Sequence, residues 1–356
     1  MVDVKKMKYL GFTISSNNCK FQHTLDDLSI KAKRVIYALN MKIKLSRYPI
    51  KLSLKLFDTL IKPILLYGAE VWGPYGDYDY NVWDRSKIEM IHVQFLKRIL
   101  GCNQNTSNIM TRAELGLRPL LVDINEKVLR YIKSITSRPN STVYSAFVFE
   151  KANTIIPNFY KFLDEFDITL DEATLNKDKK STSSLFRNHY DRHWKLKSLD
   201  SPKAAFFRIF KIRNTLEKYL FTVKNVRYRI ALSRFRLSNH KLLIETGRHQ
   251  KPKLEGNDRK CFICDDKIED ENHFLIECPL YSTERKKLFA VLNKNSRQFI
   301  SIDLAVNKSI FLLINEDVSV MKNVAKFVFN SMHIRESVKE INDISKCFKS
   351  IVILND

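Results

Sequence analysis

The sequence predicts a mainly α fold: a helical bundle behind a short N-terminal β-hairpin, then a second helical region and a small module around a cluster of Cys and His. Only 8 Gly and 9 Pro occur among 356 residues, well below the usual shares of roughly 7% and 5%, which disfavours turn-dense β architectures. Apolar residues recur at helical spacing through most of the chain, whereas β-branched and aromatic residues crowd around one glycine only near its start. With 44% apolar residues, 23 Phe and 14 Tyr there is ample material for a core.

Residues 1–24 hold KYLGFTISSNNCKF, read as two short strands around Gly11 that need a covering element, because two strands alone are marginal. Residues 25–137 form the expected bundle. Ile30, Val35, Leu39 and Ile43 mark a first basic amphipathic helix, with Thr24 and Asp27 as its N-terminal cap. A second helix begins near Pro49, whose fixed φ suits a first turn, and Pro63 bends or ends it. PILLYGAEVWG is nearly all apolar and is expected at the buried centre, with Tyr67 and Trp72 as large fillers. A third helix spans 88–100, with Ile91, Phe95 and Ile99 inward, Lys87, Lys97 and Arg98 outward, and Gly101 as C-cap. A short helix closed by Gly116 and an amphipathic one through Val122, Val128, Ile132 and Ile135 complete the bundle.

Residues 138–202 are expected to be a helical connector containing a flexible linker, NKDKKSTSS. Residues 203–254 form a basic helical region: between Lys203 and Lys260 there are 16 Lys or Arg against 4 Asp or Glu. Its first part is read as one helix, with Phe206, Ile209, Phe210 and Leu220 on a packing stripe and Arg208, Lys211 and Lys218 on an anion-attracting one. Phe206, Phe207, Trp194 and Tyr228 are assigned to the core. Residues 286–356 continue as helices.

The charge points to a partner. Lys plus Arg number 61 against 39 Asp plus Glu, giving +22, a field that favours a polyanion such as RNA or DNA. No apolar run reaches the ~20 residues that cross a bilayer, and MVDVKKMKYLGF lacks the apolar stretch of a signal peptide. An intracellular protein with no membrane partner is expected, in nucleus or cytoplasm. Six Cys are too few for a disulfide scaffold at this length. Four residues nevertheless cluster within 255–285: Cys261, Cys264, His273 and Cys278, spaced C-x2-C-x8-H-x4-C. Three thiolates and an imidazole form a closed set with no position left for a catalytic water, so a structural zinc ion is the expected cofactor. Cys19, Cys102 and Cys347 lie alone and are read as buried hydrophobes.

Taken together, KYLGFTI, KLFDTLIKPILLYGAEVWG, KIEMIHVQFLKRILG, RAELGLRPL and the basic RLSNHKLLIETGRH before HFLIECPLYSTER resemble the thumb and C-terminal zinc-knuckle region of reverse transcriptases from non-LTR retrotransposons, the long interspersed elements. The resemblance covers about half the chain, residues 8–121 and 225–290. It implies a hairpin from the end of the polymerase palm, a thumb lying over a template-primer duplex, and RNA or DNA as partner. The basic residues it places against phosphates are Lys31, Arg34, Lys42, Lys97, Arg98, Arg227, Arg229, Arg234 and Arg236. Polymerase chemistry needs carboxylates around two metal ions about 4 Å apart. The tempting pair Asp26 and Asp27 sits at a helix start instead, so no catalytic residue is assigned and the chain is expected to be inactive alone, as a truncated reading frame would be. A host-retained zinc-containing protein-interaction module without nucleic-acid function is the alternative.

Overall fold

The computed structural model describes residues 6–15, 21–152, 163–166, 179–295 and 297–353. The fold is mainly α. Among the described residues the only sheet is an antiparallel pair, β1 (Lys6–Tyr9) and β2 (Phe12–Ser15), in the register Lys6 to Ser15 through Tyr9 to Phe12. The principal helices are α1 (Gln22–Lys42), α2 (Ile50–Leu56), α3 (Lys87–Leu100), α4 (Asn108–Glu114), α5 (Leu120–Thr136), α6 (Thr142–Ala152), α7 (Lys179–Asp200), α8 (Val226–Arg236), α9 (Ser282–Asn295), α10 (Ala305–Ile314) and α11 (Val318–Ile353). They gather into two compact units, Met1–Leu96 with Gly116–Lys197, and Lys97–Leu115 with Ser198–Asp356. The stretch expected to form one bundle, 25–137, therefore surrenders 97–115 to the second unit. The NKDKKS part of the expected linker begins outside the described residues, and Lys179–Asp200 is helical.

In unit 1 the hairpin turns at Leu10 and Gly11, both with positive φ, the two-residue geometry whose twist matches paired strands. Its cover is local. Phe12 packs on Tyr67, with ring centroids 5.6 Å apart, and the Tyr67 hydroxyl donates to Leu10 O at 2.8 Å. Thr24 and Asp27 do not cap α1, which starts behind Phe21 with no side-chain cap. Instead Thr24 Oγ1 accepts from Thr13 N and donates to Thr13 O, while Asp27 accepts from the Thr13 hydroxyl at 2.8 Å. The polar side chains expected to end a helix tie it to a strand. Tyr67, expected as a core filler, is exposed for the same reason, whereas Trp72 is buried.

Pro63 does not end the second helix: α2 runs into a π-helical turn, Phe57–Ile61, and on through Lys62–Leu65. The wider turn accommodates a residue that has no N–H to give. Gly68 closes this stretch at φ +62°, and a Cβ there would lie 2.0 Å from the Phe12 ring. Gly68→Ala is therefore expected to cost about 1–2 kcal/mol in backbone strain alone and to detach the hairpin. Hydrogen exchange should show faster amides over residues 6–15; unchanged exchange there would contradict this packing.

Glu89, fully buried on α3, knits the rest of unit 1 together. Its Oε2 accepts from Trp83 Nε1 at 2.9 Å and from Leu120 N at 2.8 Å, and its Oε1 lies 3.1 Å from His92 Nδ1. Leu120 opens α5, so this carboxylate satisfies one of the free amides of that helix start. Arg118 forks onto Asp191 of α7 at 3.0 and 2.6 Å, and Tyr80 packs edge-on against Tyr190.

In unit 2, α8 and α9 both pack on α11. Gly101 ends α3 at φ +70°, as its position implies. The single helix expected over 205–220 is broken into Phe207–Phe210 and Tyr219–Thr222. Between them Leu216 forms a β-bridge with Leu115, and Glu217 N donates to Glu114 O. Lys211 does not face solvent: it is buried and bonded to Thr215 O and to Glu217. Phe206, Phe207 and Trp194 are buried as expected, and Tyr228 lies half-buried against Phe329.

Candidate metal centre and basic surfaces

Cys261 and Cys264 sit on a tight turn whose backbone is fixed by Cys261 N to Lys267 O at 2.7 Å and Asp265 N to Cys261 O at 2.9 Å. Asp265 takes the left-handed conformation needed to reverse the chain, and Lys260 bridges Ile268 across the reversal. Asp270 then accepts from His273 N, starting a short π-helical turn, His273–Glu277, and Cys278 follows with its N–H on His273 O at 2.8 Å. The turn brings the third and fourth residues back onto the first two. One ligand atom from each of Cys261, Cys264, His273 and Cys278 lies within 4.8 Å of the others, and Cys261 Sγ and Cys278 Sγ are 3.9 Å apart. Three of the four are buried.

This donor set can hold a metal ion. His273 Nδ1 lies 3.4 Å from Glu277 Oε2, while His273 Nε2 is buried without a hydrogen-bond partner. A partnered outer nitrogen and an orphaned inner one are the arrangement of a ligating imidazole. The thiols point the same way. The contact with Cys278, helped by the Ile263 and Cys264 amides and acting against burial, holds the Cys261 thiol down to about 3. The same contact with Cys261, with burial, pushes Cys278 up, and burial and the Cys261 charge raise Cys264.

The loop is bolted into unit 2. Arg285, buried on α9, donates to the carbonyls of Leu275, Phe274 and Cys278. Arg335 of α11 forks onto Glu269 at 2.6 and 2.7 Å, and Glu269 also accepts from Leu243 N. Phe274 is wholly buried against Phe235, Tyr281 and Phe327. None of Glu277, Asp270, Glu269, Arg285 or Arg335 was singled out from sequence, although Asp270 and Glu277 stand three before and four after His273, where a helical turn brings side chains together.

The nine basic residues expected at phosphates divide by burial. Lys31, Arg34 and Lys42 are exposed on α1 in unit 1; Arg98, Arg227 and Arg234 are exposed in unit 2. The other three are not on the surface. Lys97 is buried, its Nζ donating to Gln104 O at 2.6 Å and Asn108 Oδ1 at 2.8 Å. Arg229 is buried, which lowers its pKa. Arg236 is 2% exposed and ion-paired with Glu114 and Glu217. Lys97 and Arg236 bind within the fold, Arg229 is withdrawn from the surface, and the exposed set reduces to six.

Asp26 and Asp27 are likewise engaged structurally. Against the upward push of burial, hydrogen bonds from Lys87 and Gln22 hold Asp26 below the usual carboxylate range. A Ser, a His and carboxylates also meet near Ser238, where His240 Nε2 lies 3.1 Å from Glu271. Ser238 Oγ is buried without a hydrogen-bond partner. Cys102 is buried, and burial pushes its thiol up to about 12, as befits an inert core cysteine. Cys19 lies outside the described residues, as does the side chain of Cys347. Among the described residues no helix is long and apolar enough to cross a membrane. Comparison with protein-family models, curated proteins and solved structures finds no match.

Proposed function

We propose that this protein is a non-catalytic nucleic-acid-binding region of the retrotransposon reverse-transcriptase type, gripping RNA or DNA by exposed basic side chains, with zinc in the Cys261, Cys264, His273 and Cys278 set. The observation that carries the reading is the combination of +22 net charge with surface-facing Lys31, Arg34, Lys42, Arg98, Arg227 and Arg234. Soft sulfur and nitrogen donors favour zinc over calcium or magnesium, and a closed set of four makes it structural. The ion would hold the loop's geometry, and Glu277 would orient the imidazole.

The test is binding to duplex DNA and to structured RNA across a salt series. Counterion release predicts a log–log slope of about −0.9 per phosphate neutralised on duplex DNA, and less on single strands. We expect a slope steeper than about −2 with duplex, and a shallower one for a variant with Lys31, Arg34 and Lys42 changed to Ala. Absence of binding at low salt would exclude the reading. It would leave a zinc-containing protein-interaction module, favoured by one observation: an apolar groove of about 200 Å³ lined by Val71, Pro74, Tyr131, Ile135, Val143 and Phe147.

A further inference from the structure

Unit 2 contains a cleft of about 640 Å³ lined by α8, α11 and residues 238–241, 245 and 246. Its volume falls in the range of about 300–1,000 Å³ that accommodates a drug-sized ligand, a nucleotide among them. Four cations line it, Lys203, Arg227, Arg234 and Lys241, against two carboxylates, Glu245 and Glu336. Both carboxylates already have partners: Glu336 pairs with Lys241 at 2.9 Å and Glu245 with Arg248 at 3.2 Å. The hydrogen bonds of Lys203 and Arg234 go to backbone carbonyls, Asn105 O and Gly101 O, and neither side chain forms an ion pair among the described residues, although Lys203 lies near enough to Glu245 to favour its charged form. Cations outnumber carboxylates in the lining by four to two, which favours an anion.

The opposite wall is aromatic. Phe329 and His333 stand one helical turn apart on α11 with ring centroids 4.4 Å apart, and Phe329 is held in place by Tyr228, outside the cleft lining, at 5.2 Å. Phe329 is half-buried and His333 exposed. Cations that meet phosphate beside rings that meet a base are the elements of single-strand recognition, because an unpaired base offers a face for stacking that a duplex keeps inside.

We propose that this cleft seats one unpaired nucleotide of a single-stranded nucleic acid, its phosphate against Arg227, Arg234 and Lys203 and its base against Phe329 and His333. The inference rests on the nucleic-acid reading above and names the strand form that unit 2 takes.

The test uses the full-length chain with a short fluorescein-labelled oligouridylate and a blunt DNA duplex of equal length. His333→Ala, at an exposed position, and Arg227→Glu are each expected to weaken oligouridylate binding about tenfold or more, as loss of a stacked base does. His333→Ala should leave duplex affinity within about twofold. Photocrosslinking with 4-thiouridine in the strand should label peptides within 226–241 or 327–336, a readout independent of any variant. Tight oligouridylate binding by the wild type that neither variant weakens, with crosslinks elsewhere, overturns the cleft and spares the general function. Failure of the wild type to bind either probe overturns both.

Discussion

Arg236→Ala is expected to destabilise unit 2 by about 3–5 kcal/mol, the usual consequence of removing one partner from a buried ion pair. Arg236 Nε lies 2.5 Å from Glu114 Oε1 and Nη2 2.8 Å from Glu217 Oε2, while Nη1 donates to Leu313 O at 2.7 Å. The guanidinium also lies over the Phe210 ring, 4.5 Å from its centroid. Against the downward push of burial, Glu114 and Glu217 raise its pKa, so it stays charged. Truncation strands Glu114, 0% exposed, with the Tyr219 hydroxyl at 2.7 Å. Glu114→Ala should cost a similar amount, and the double variant less than the sum. Trp72, Trp83 and Trp194 all belong to unit 1, so tryptophan fluorescence follows that unit alone. In urea the far-ultraviolet dichroism transition should therefore shift to lower concentration while the fluorescence transition holds. Coincident, unshifted transitions would show the pair to be dispensable.

Disrupting the candidate metal centre is expected to be felt further than its own loop. Cys278→Ser, or chelation of the native protein, withdraws a contribution on the order of 10 kcal/mol in isolated finger peptides. Here part of the loop's free energy comes from packing, since Phe274 and Tyr281 are buried and Arg285 and Arg335 reach in from two helices. The sequence leads one to expect that loss of a ligand loosens residues 255–285 while the 25–135 bundle stays folded. The packing of the loop adds to that expectation: hydrogen exchange should rise over 259–281 and also in α8 and over 320–336 of α11, while α5 stays protected. The stoichiometry of bound metal should fall together with that protection. Loss confined to the loop would mean that the bolts on Glu269 and on the loop carbonyls do not transmit the change.

Local patterns were legible and long-range pairings were not. The hairpin, the C-caps at Gly101 and Gly116 and the four clustered ligands all rest on residues that interact within a few positions, or on a spacing that geometry constrains. Arg236 sits in a basic run and reads as a surface charge, yet its partner Glu114 lies 122 positions away. Lys97 fails for a nearer reason: Gln104 O in the following loop and Asn108 Oδ1 at the start of α4 fold back onto it. Thr24 and Asp27 carry the composition of a cap, but a neighbouring strand offered Thr13 as a partner. Counting charges along one chain measures how much cation is present, while burial decides which of it can meet another molecule.

That same separation sets an order of events during synthesis. At a ribosomal rate of roughly 5–20 residues per second, about 6–24 s elapse between the emergence of Glu114 and that of Arg236. Throughout that interval the nascent segment 97–115 waits without the residues it will fold upon, although the first ninety-six are already out. A linear fragment starting at Ser198 repeats that wait permanently: it carries the guanidinium but never receives Glu114, so the second unit cannot be excised by a single cut.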